Sequence, residues 1–403
     1  MTNVGKRQLK LKSESTPILS ILIPTKNRVE TLIHALDSCM KCDFQEDSIE
    51  IIIQDCGSSD NFRHVLENKG CKKVKYFYSW DSPSMTENWN RAISNSTGEY
   101  ICGIGDDDAV LPNIYDLVIY AKKNNIDSIY QPMLNYIWPD AYENMYSSGK
   151  LTIPPFKENP PIDIIAERDL VISKCGIGYN KYLPSIYHGI VKRDILEDYR
   201  AKSGKYLGET SFDVYSSLVI STLTKKYYYS TSPFSVRGAS KHSNSNRIKQ
   251  KTSYEHFLEI KNYCGYDRLP KIFSADVSVA ETCLNAIQDL KGVNISIGAS
   301  MNLEYIYAKS AANNIFIIMK LLKYINQKKD LNINIIIIFK YIISYIYDRV
   351  SIYAVERGLF IFEKISNDLS NYLYSIISNS KKIKAKNISI AIDLYNNNKE
   401  IID

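Results

Sequence analysis

The stretch Gly98-Glu99-Tyr100-Ile101-Cys102-Gly103-Ile104-Gly105-Asp106-Asp107-Asp108 decides how this chain is read. A short apolar run ends abruptly in three consecutive carboxylates. Such a run suits a buried strand whose C-terminal end opens onto a site. Three adjacent acids repel one another unless a cation or hydrogen-bond donors offset the repulsion. A solvated acidic turn would account for the triplet equally well if it stood alone, so its neighbours carry the decision.

Upstream, residues 18–23 form an apolar, β-branched run closed by Pro24, which predicts a buried strand. A polar loop, 25–28, leads to a helix over 29–40 with Leu32, Ile33, Leu36 and Met40 at helical spacing. A second strand, 49–53, ends in a loop of small and acidic residues running from Gln54 and Asp55 to Asp60, which is placed to cap the next helix. A third strand over 74–78, a helix over 83–94, a fourth strand over 100–104 and a helix over 112–122 continue the alternation. Strand and helix in turn predict an α/β fold, a mostly parallel sheet flanked by helices. Ligands of such sheets bind outside the carboxyl ends of the strands. Thr25, Asp55 and Asp106 to Asp108 all fall at such ends, so three separate segments bring polar residues to one rim.

Downstream, residues 135–184 are rich in Pro, Tyr and Asn and read as loops over the sheet. Strands are expected at 185–191 and 227–236, helices at 194–199 and 211–224, and a polar, basic loop at 237–251. From 253 onward the apolar spacing is helical, in 254–263, 274–290, 303–324, 333–347 and 355–377. The organisation expected is a disordered lead at 1–17, an α/β catalytic domain at 18–250 and a helical region at 251–403.

Composition narrows the function. At 403 residues, with 45% hydrophobic and 23% charged residues, the chain can bury a sizeable core. A net charge of +6 permits attraction to phosphates or an anionic membrane and does not suggest a nucleic-acid binder. Met1 to Thr16 lacks the apolar core of a signal peptide, so a cytoplasmic location is expected. Cys39 and Cys42 form a CxxC with no second pair at zinc spacing, which reads as reduced thiols. The longest apolar stretch, 333–347, is interrupted by Lys340 and is too short to span a bilayer. The basic, amphipathic character of 316–403 fits peripheral docking on the inner membrane leaflet, and fits an ordinary solvated surface as well.

Carboxylates at a strand end suit Mg²⁺ or Mn²⁺, hard cations that are usually held by one or two carboxylates plus substrate phosphates. At this point the sequence resembles family 2 glycosyltransferases of the GT-A fold, bacterial surface-polysaccharide type. The resemblance covers residues 18–123, about a quarter of the chain, and rests on ILSILIPTKNR (18–28), IEIIIQDCGSSD (49–60) and NRAISNSTGEYICGIGDDDAVLPN (90–113). It implies a nucleotide-sugar site in which Pro24, Thr25, Asn27 and Asp55 serve the nucleotide, Asp106 faces the ribose, Asp107 is the main metal ligand and Asp108 supports it or bonds the donor sugar. The chain departs from the family pattern at three places. Gly105 stands where the first acid of Asp-x-Asp falls, Cys56 where many relatives have an acid, and Trp89 where some carry a pyrophosphate-binding arginine.

An inverting transferase needs a general base for the acceptor hydroxyl. Gly208-Glu209-Thr210-Ser211-Phe212-Asp213 is the best stretch for it, with Asp213 as base and Glu209 in reserve. An acid there could equally cap the helix that follows. His242, in the polar loop, could complete a metal shell, with Arg237 or Lys241 neutralising a diphosphate; a loop histidine is also commonly just solvated. His188, before that base, could touch an acceptor, and Tyr179, Tyr182 and Tyr187 fall on the same side. The implied activity is transfer from a nucleotide-diphosphate sugar, a UDP-sugar first, to a glycan or lipid-linked glycan. The alternative is a non-catalytic GT-A module that binds nucleotide or glycan as a scaffold. Donor sugar, acceptor and oligomeric state leave no readable signature.

Overall fold

The computed structural model describes residues 16–42, 48–58, 73–141, 149–154, 161–208, 211–243, 275–313 and 381–397, with isolated positions at 269, 325, 334 and within 336–343. The Asp60 cap, Glu209 and the helices expected at 254–263 and 355–377 lie outside the described residues. The first elements are β1 (Leu19–Thr25), α1 (Val29–Lys41), β2 (Ile49–Asp55), β3 (Val74–Tyr78), α2 (Met85–Ser94), β4 (Tyr100–Gly103), β5 (Ala109–Val110) and α3 (Ile114–Asn124). Next come β6 (Ser128–Tyr130), β7 (Leu134–Ile137), β8 (Lys150–Ile153), α4 (Ile164–Ser173), β9 (Ile190–Lys192), α5 (Arg193–Ser203), α6 (Phe212–Leu223), β10 (Tyr227–Tyr229) and β11 (Ser235–Ala239). α7 (Ala275–Gly292), α8 (Leu303–Asn313), β12 (Lys381–Lys384) and α9 (Ile388–Asn397) complete the described set.

The first half follows the expected alternation for a simple reason. β1 and β2 are buried on both faces, and a strand with no solvent face is stable only inside a sheet covered by helices on both sides. Every residue of β2 is buried, and of β1 all but Pro24. They lie parallel, flanked by β4 and β3, within a seven-stranded sheet of order β10-β6-β9-β4-β1-β2-β3. Thr25 pairs directly with Asp55 across β1 and β2, which sets both at the same rim. Helix α2 begins at Ser84, whose hydroxyl accepts from the Glu87 amide.

The sheet is mixed: β9 runs antiparallel to both β4 and β6. A second, five-stranded sheet of order β12-β8-β7-β11-β5 was not legible in the sequence. Its strands β7 and β8, together with α4, occupy the stretch read as loops, because their short alternating patterns sit among prolines and tyrosines. The strand expected at 227–236 divides at Ser230 to Phe234, leaving β10 in the large sheet and β11 in the small one. Of the strand expected at 185–191, only its end joins β9; Ser185 to Gly189 form a turn with His188 at φ 60°. β4 belongs to the large sheet and β5 to the small one, so Asp106 to Asp108 form the link between the two sheets.

The described elements beyond 250 pack on this core. α7 lies along α6, and Asp289 on α7 accepts a 2.7 Å bond from the Tyr215 hydroxyl. β12, in a stretch read as helical, pairs antiparallel with β8. Ala385, Ile388, Ala391, Ile392 and Tyr395 then bury against Tyr136, Trp138 and Leu151. No helix among the described residues is long and apolar enough to cross a membrane.

Candidate active site

The rim expected from the sequence exists, and its carboxylates are buried. Asp106 is 3% exposed, Asp107 5% and Asp108 0%, so a solvated acidic turn is excluded. Each carboxylate has its own set of donors. Asp106 accepts from the Thr25 hydroxyl at 2.7 Å and from Arg28 Nη1 at 2.9 Å. Burial still outweighs these partners and raises its pKa. Arg28 also donates to the backbone carbonyl of His242, tying the β1 loop to the chain after β11.

Asp108 is the opposite case. Its Oδ1 accepts from the Gly238 amide at 2.6 Å; its Oδ2 accepts from the Gly105 amide at 2.6 Å and the Tyr187 hydroxyl at 2.7 Å. His188 Nε2 lies 3.2 Å from the same Oδ2, within ion-pair range though off the hydrogen-bond line. Burial pushes this carboxylate up, but His188, Gly238 and Tyr187 outweigh it and hold Asp108 below the usual range. The glycine at position 105 now has a physical reason. A Cβ there would come within 2.9 Å of Asp108 Oδ2, in the cradle formed by the Gly105 amide.

Asp107 lies between them. Its Oδ2 accepts from the Ser240 hydroxyl at 2.7 Å, from the Ser240 amide at 3.2 Å and from the Ser243 hydroxyl. Its backbone carbonyl accepts from Trp138 Nε1 at 2.9 Å. Burial, then the charges of Asp108 and Asp106, push its pKa up to about 6. Among the described residues no three His, Cys, Asp or Glu side chains gather as a ready metal cage. The donor chemistry nonetheless fits one hard cation. A buried carboxylate strained by two like charges is relieved by positive charge, and substrate phosphates can fill the remaining positions.

On the rim beside Thr25, Asp55 is fully buried and already engaged. Its Oδ1 accepts from the Ser58 amide at 3.0 Å and the Ser58 hydroxyl at 2.6 Å, and its Oδ2 from the Tyr76 hydroxyl at 2.7 Å. The Asn27 amide, at φ 54°, donates to the Ser58 hydroxyl at 2.7 Å. Asp55 therefore shapes the Cys56–Gly57–Ser58 turn. Pro24 is half-buried beside Thr25. Trp89 cannot take the place of a pyrophosphate-binding arginine: it is 3% exposed, stacked on Phe212 at 4.5 Å, and packed so tightly under Gly103 that a Cβ there would meet its ring at 2.2 Å.

Asp213 lies in the first turn of α6, one residue past Phe212. The N-cap is Ser211, so Asp213 is not itself the cap residue. Its Oδ2 accepts from the Tyr179 hydroxyl and its Oδ1 from the Val214 amide at 3.0 Å. Burial, then Asp213, push the Tyr179 phenol well above its ordinary pKa, so it is a donor. Arg237 is partly buried near Tyr187, Tyr130 and Tyr179 and near the Asp108 carboxylate. Asn90 pairs both amide atoms with the Leu207 backbone, at 3.1 and 2.9 Å, and so anchors the approach to α6.

Two expectations change. His188 is 0% exposed and faces Asp108, so it does not reach toward an acceptor. The His242 ring is exposed, and the residue joins the site through its backbone carbonyl. Sequence reading also missed Arg28, Gln131, Ser235, Gly238, Ser240 and Ser243. The last four lie more than 120 residues beyond the triplet, where no local pattern marks them.

With this geometry in view, comparison with known proteins is informative. Residues 20–177 match the model of Glycosyl transferase family 2. A GalNAc(5)-diNAcBac-PP-undecaprenol beta-1,3-glucosyltransferase of Campylobacter jejuni is 34% identical over 98 residues, 24% of this chain and 31% of that protein. Glycosyltransferase GlyG of Streptococcus pneumoniae is 25% identical over 136 residues, 33% of this chain and 44% of that protein. The chain thus spans less than half the length of these relatives. The crystal structure of S. aureus TarS 1–349 aligns with a TM-score of 0.47 and 16% identity, covering 95% of this chain and 90% of that one.

Proposed function

We propose that the protein is an inverting, metal-dependent glycosyltransferase that moves a sugar from a nucleotide-diphosphate donor, a UDP-sugar first, to a hydroxyl of a growing glycan. The observation that carries this reading is Asp107, a buried carboxylate with its pKa pushed up to about 6, held between a nucleotide-side arm and an acceptor-side arm. Bound Mn²⁺ or Mg²⁺ would neutralise charge on the leaving nucleoside diphosphate. Asp107 is the residue that would hold it, and Arg28 is the protein cation whose charge already acts on Asp107. Thr25, Arg28 and Asp106 keep the nucleotide side closed in the free protein and open donors and acceptors to a ribose when Arg28 turns away.

On the acceptor side, Asp213 takes the proton from the attacking hydroxyl as that oxygen bonds to the anomeric carbon and the diphosphate departs from the opposite face. Tyr179 holds the carboxylate in place before the acceptor arrives. The segment it shares with the Campylobacter relative suggests a lipid-linked glycan as acceptor class, and work at the cytoplasmic face of the inner membrane, with peripheral contact, is the corresponding location.

The test is nucleotide release from a panel of UDP-, GDP- and CMP-sugars with Mn²⁺, with and without chelator. We expect chelator-sensitive release with UDP-sugars. Asp107→Asn should lower the rate at least about a hundredfold, and Asp213→Asn should keep donor binding but lose transfer. Turnover that ignores chelator would remove the metal role, and full transfer by Asp213→Asn would move the base elsewhere.

A further inference from the structure

We propose that Asp108 is the structural keystone of the site and not a cation ligand, and that His188, Ser235 and Gln131 are positioning residues that hold it. The inference deepens the proposed function and rests on it only for the part that involves metal. An ionised carboxylate offers about four acceptor directions. Oδ2 of Asp108 already receives the Gly105 amide and the Tyr187 hydroxyl, with His188 Nε2 3.2 Å away, and Oδ1 receives the Gly238 amide. A cation at Oδ2 would have to displace the Gly105 amide or the Tyr187 hydroxyl from a group with no exposure to solvent. The donors come from three segments: the β4–β5 link, the turn before β9, and β11. Asp108 therefore fastens the large sheet to the small one beside Asp107.

Behind it runs a buried chain with a fixed direction. Gln131 Oε1 accepts from the Ser235 amide at 3.0 Å and from the Phe234 amide. Its Nε2 donates to the His188 carbonyl at 3.1 Å and to the Ser235 hydroxyl. The opposite amide orientation would set an NH₂ group against two backbone N–H groups, so the orientation is forced. Ser235, already an acceptor, has its own proton left for His188 Nδ1 at 2.8 Å. The imidazole proton is then on Nε2, facing Asp108. His188 adopts φ 60°, and its backbone is held on both sides, by its amide to the Gly103 carbonyl at 2.8 Å and by Gln131. Side chains at left-handed φ persist where the surroundings over-determine them, commonly at functional sites.

The experiment is thermal melting of the full chain in chelator, and again with UDP and a Mn²⁺ titration. In chelator, Asp108→Asn should melt about 5 °C or more below the parent, because an amide cannot accept on both sides. Ser235→Ala, a milder change, should lower melting less, yet raise the Mn²⁺ needed for half of the UDP-dependent stabilisation about tenfold, the size expected when an outer support of a metal site is lost. A merely structural serine would lower the melting temperature and leave that Mn²⁺ midpoint where it was. Parent-like melting of Asp108→Asn in chelator, with the Mn²⁺ response abolished, would make Asp108 a ligand and overturn the proposal. Should Asp108→Asn fail to fold, Ser235→Ala decides: an unchanged midpoint removes the positioning role. Absence of any Mn²⁺ response in the parent would instead count against the proposed function, and the chelator arm would still decide the keystone.

Discussion

At the scale of the residue, three adjacent aspartates have three different fates. Asp106 is paired with Arg28, Asp108 is bonded at both oxygens, and Asp107 accepts from Ser240 and Ser243 at Oδ2, yet burial and two like charges push it up to about 6. The unfolded carboxyl titrates near 3.8, so between about pH 4 and 6 the folded state binds the extra proton. This group's contribution to stability is therefore full below the unfolded value and is lost as pH rises through about 6. The shift of roughly two pKa units corresponds to about 3 kcal/mol at most. In chelator, we expect Asp107→Asn to be more stable than the parent at pH 8, by up to that amount, and the gap to close toward pH 4. Its carboxamide oxygen keeps an acceptor for Ser240 and Ser243 while the charge is gone. Urea unfolding at both pH values measures this, and a variant less stable than the parent at pH 8 would contradict the assignment.

At the scale of the element, the site is made where β11 crosses the β4–β5 link. The approach is so close that a Cβ on Gly238 would fall 1.7 Å from the Asp107 carbonyl oxygen and 3.0 Å from Trp138 Nε1. Both atoms belong to one hydrogen bond, so neither can give way independently. Gly238→Ala should therefore cost about 2–3 kcal/mol and weaken the UDP-dependent Mn²⁺ response, seen by urea unfolding and by melting. An alanine variant with parent stability would mean that β11 can stand off from the link without harm. The same scale explains the turn at Ser185 to Gly189. Ser185 bonds Ser216 in the first turns of α6 at 2.8 Å, and Tyr187 and His188 reach Asp108, so one turn joins the Asp213 helix to the triplet.

At the scale of the whole molecule, the described elements beyond 250 brace both arms. α7 supports the helix that carries Asp213, through Tyr215 and through Lys205, which pairs with Asp289 at 2.8 Å. β12 and α9 support the sheet that carries Gly238 and Trp138, and the Tyr136 hydroxyl donates to the Ala385 carbonyl at 2.9 Å. Truncation after residue 250 would strip α7 from the core and could not isolate a membrane-docking role. Truncation after residue 380 should remove the burial of Ile388, Ile392 and Tyr395, at roughly 2 kcal/mol each. We expect a lower melting temperature and a weaker Mn²⁺ response from that shortened chain. Melting identical to the full chain would show that 381–403 is dispensable to the core.

The sequence by itself determined the first half of the fold. Strands apolar on both faces, helical spacing between them and acids at their ends are local patterns, and a parallel sheet is the arrangement that buries such strands. It also determined that Thr25, Asp55 and the triplet share a rim, and it marked Asp213 as the acid nearest the start of a helix. Only the tertiary structure decided which carboxylate keeps a raised pKa. That depends on Arg28, Tyr187, His188, Gly238, Ser240 and Ser243, all of which reach the triplet from nearly 80 residues or more along the chain. The small sheet was likewise illegible, because its short strands come from four distant segments and become strands only by pairing with one another. Charge pairing and burial at such separations are properties of the packed molecule. The triplet announced a site, and the packing around it divided the labour among its three acids.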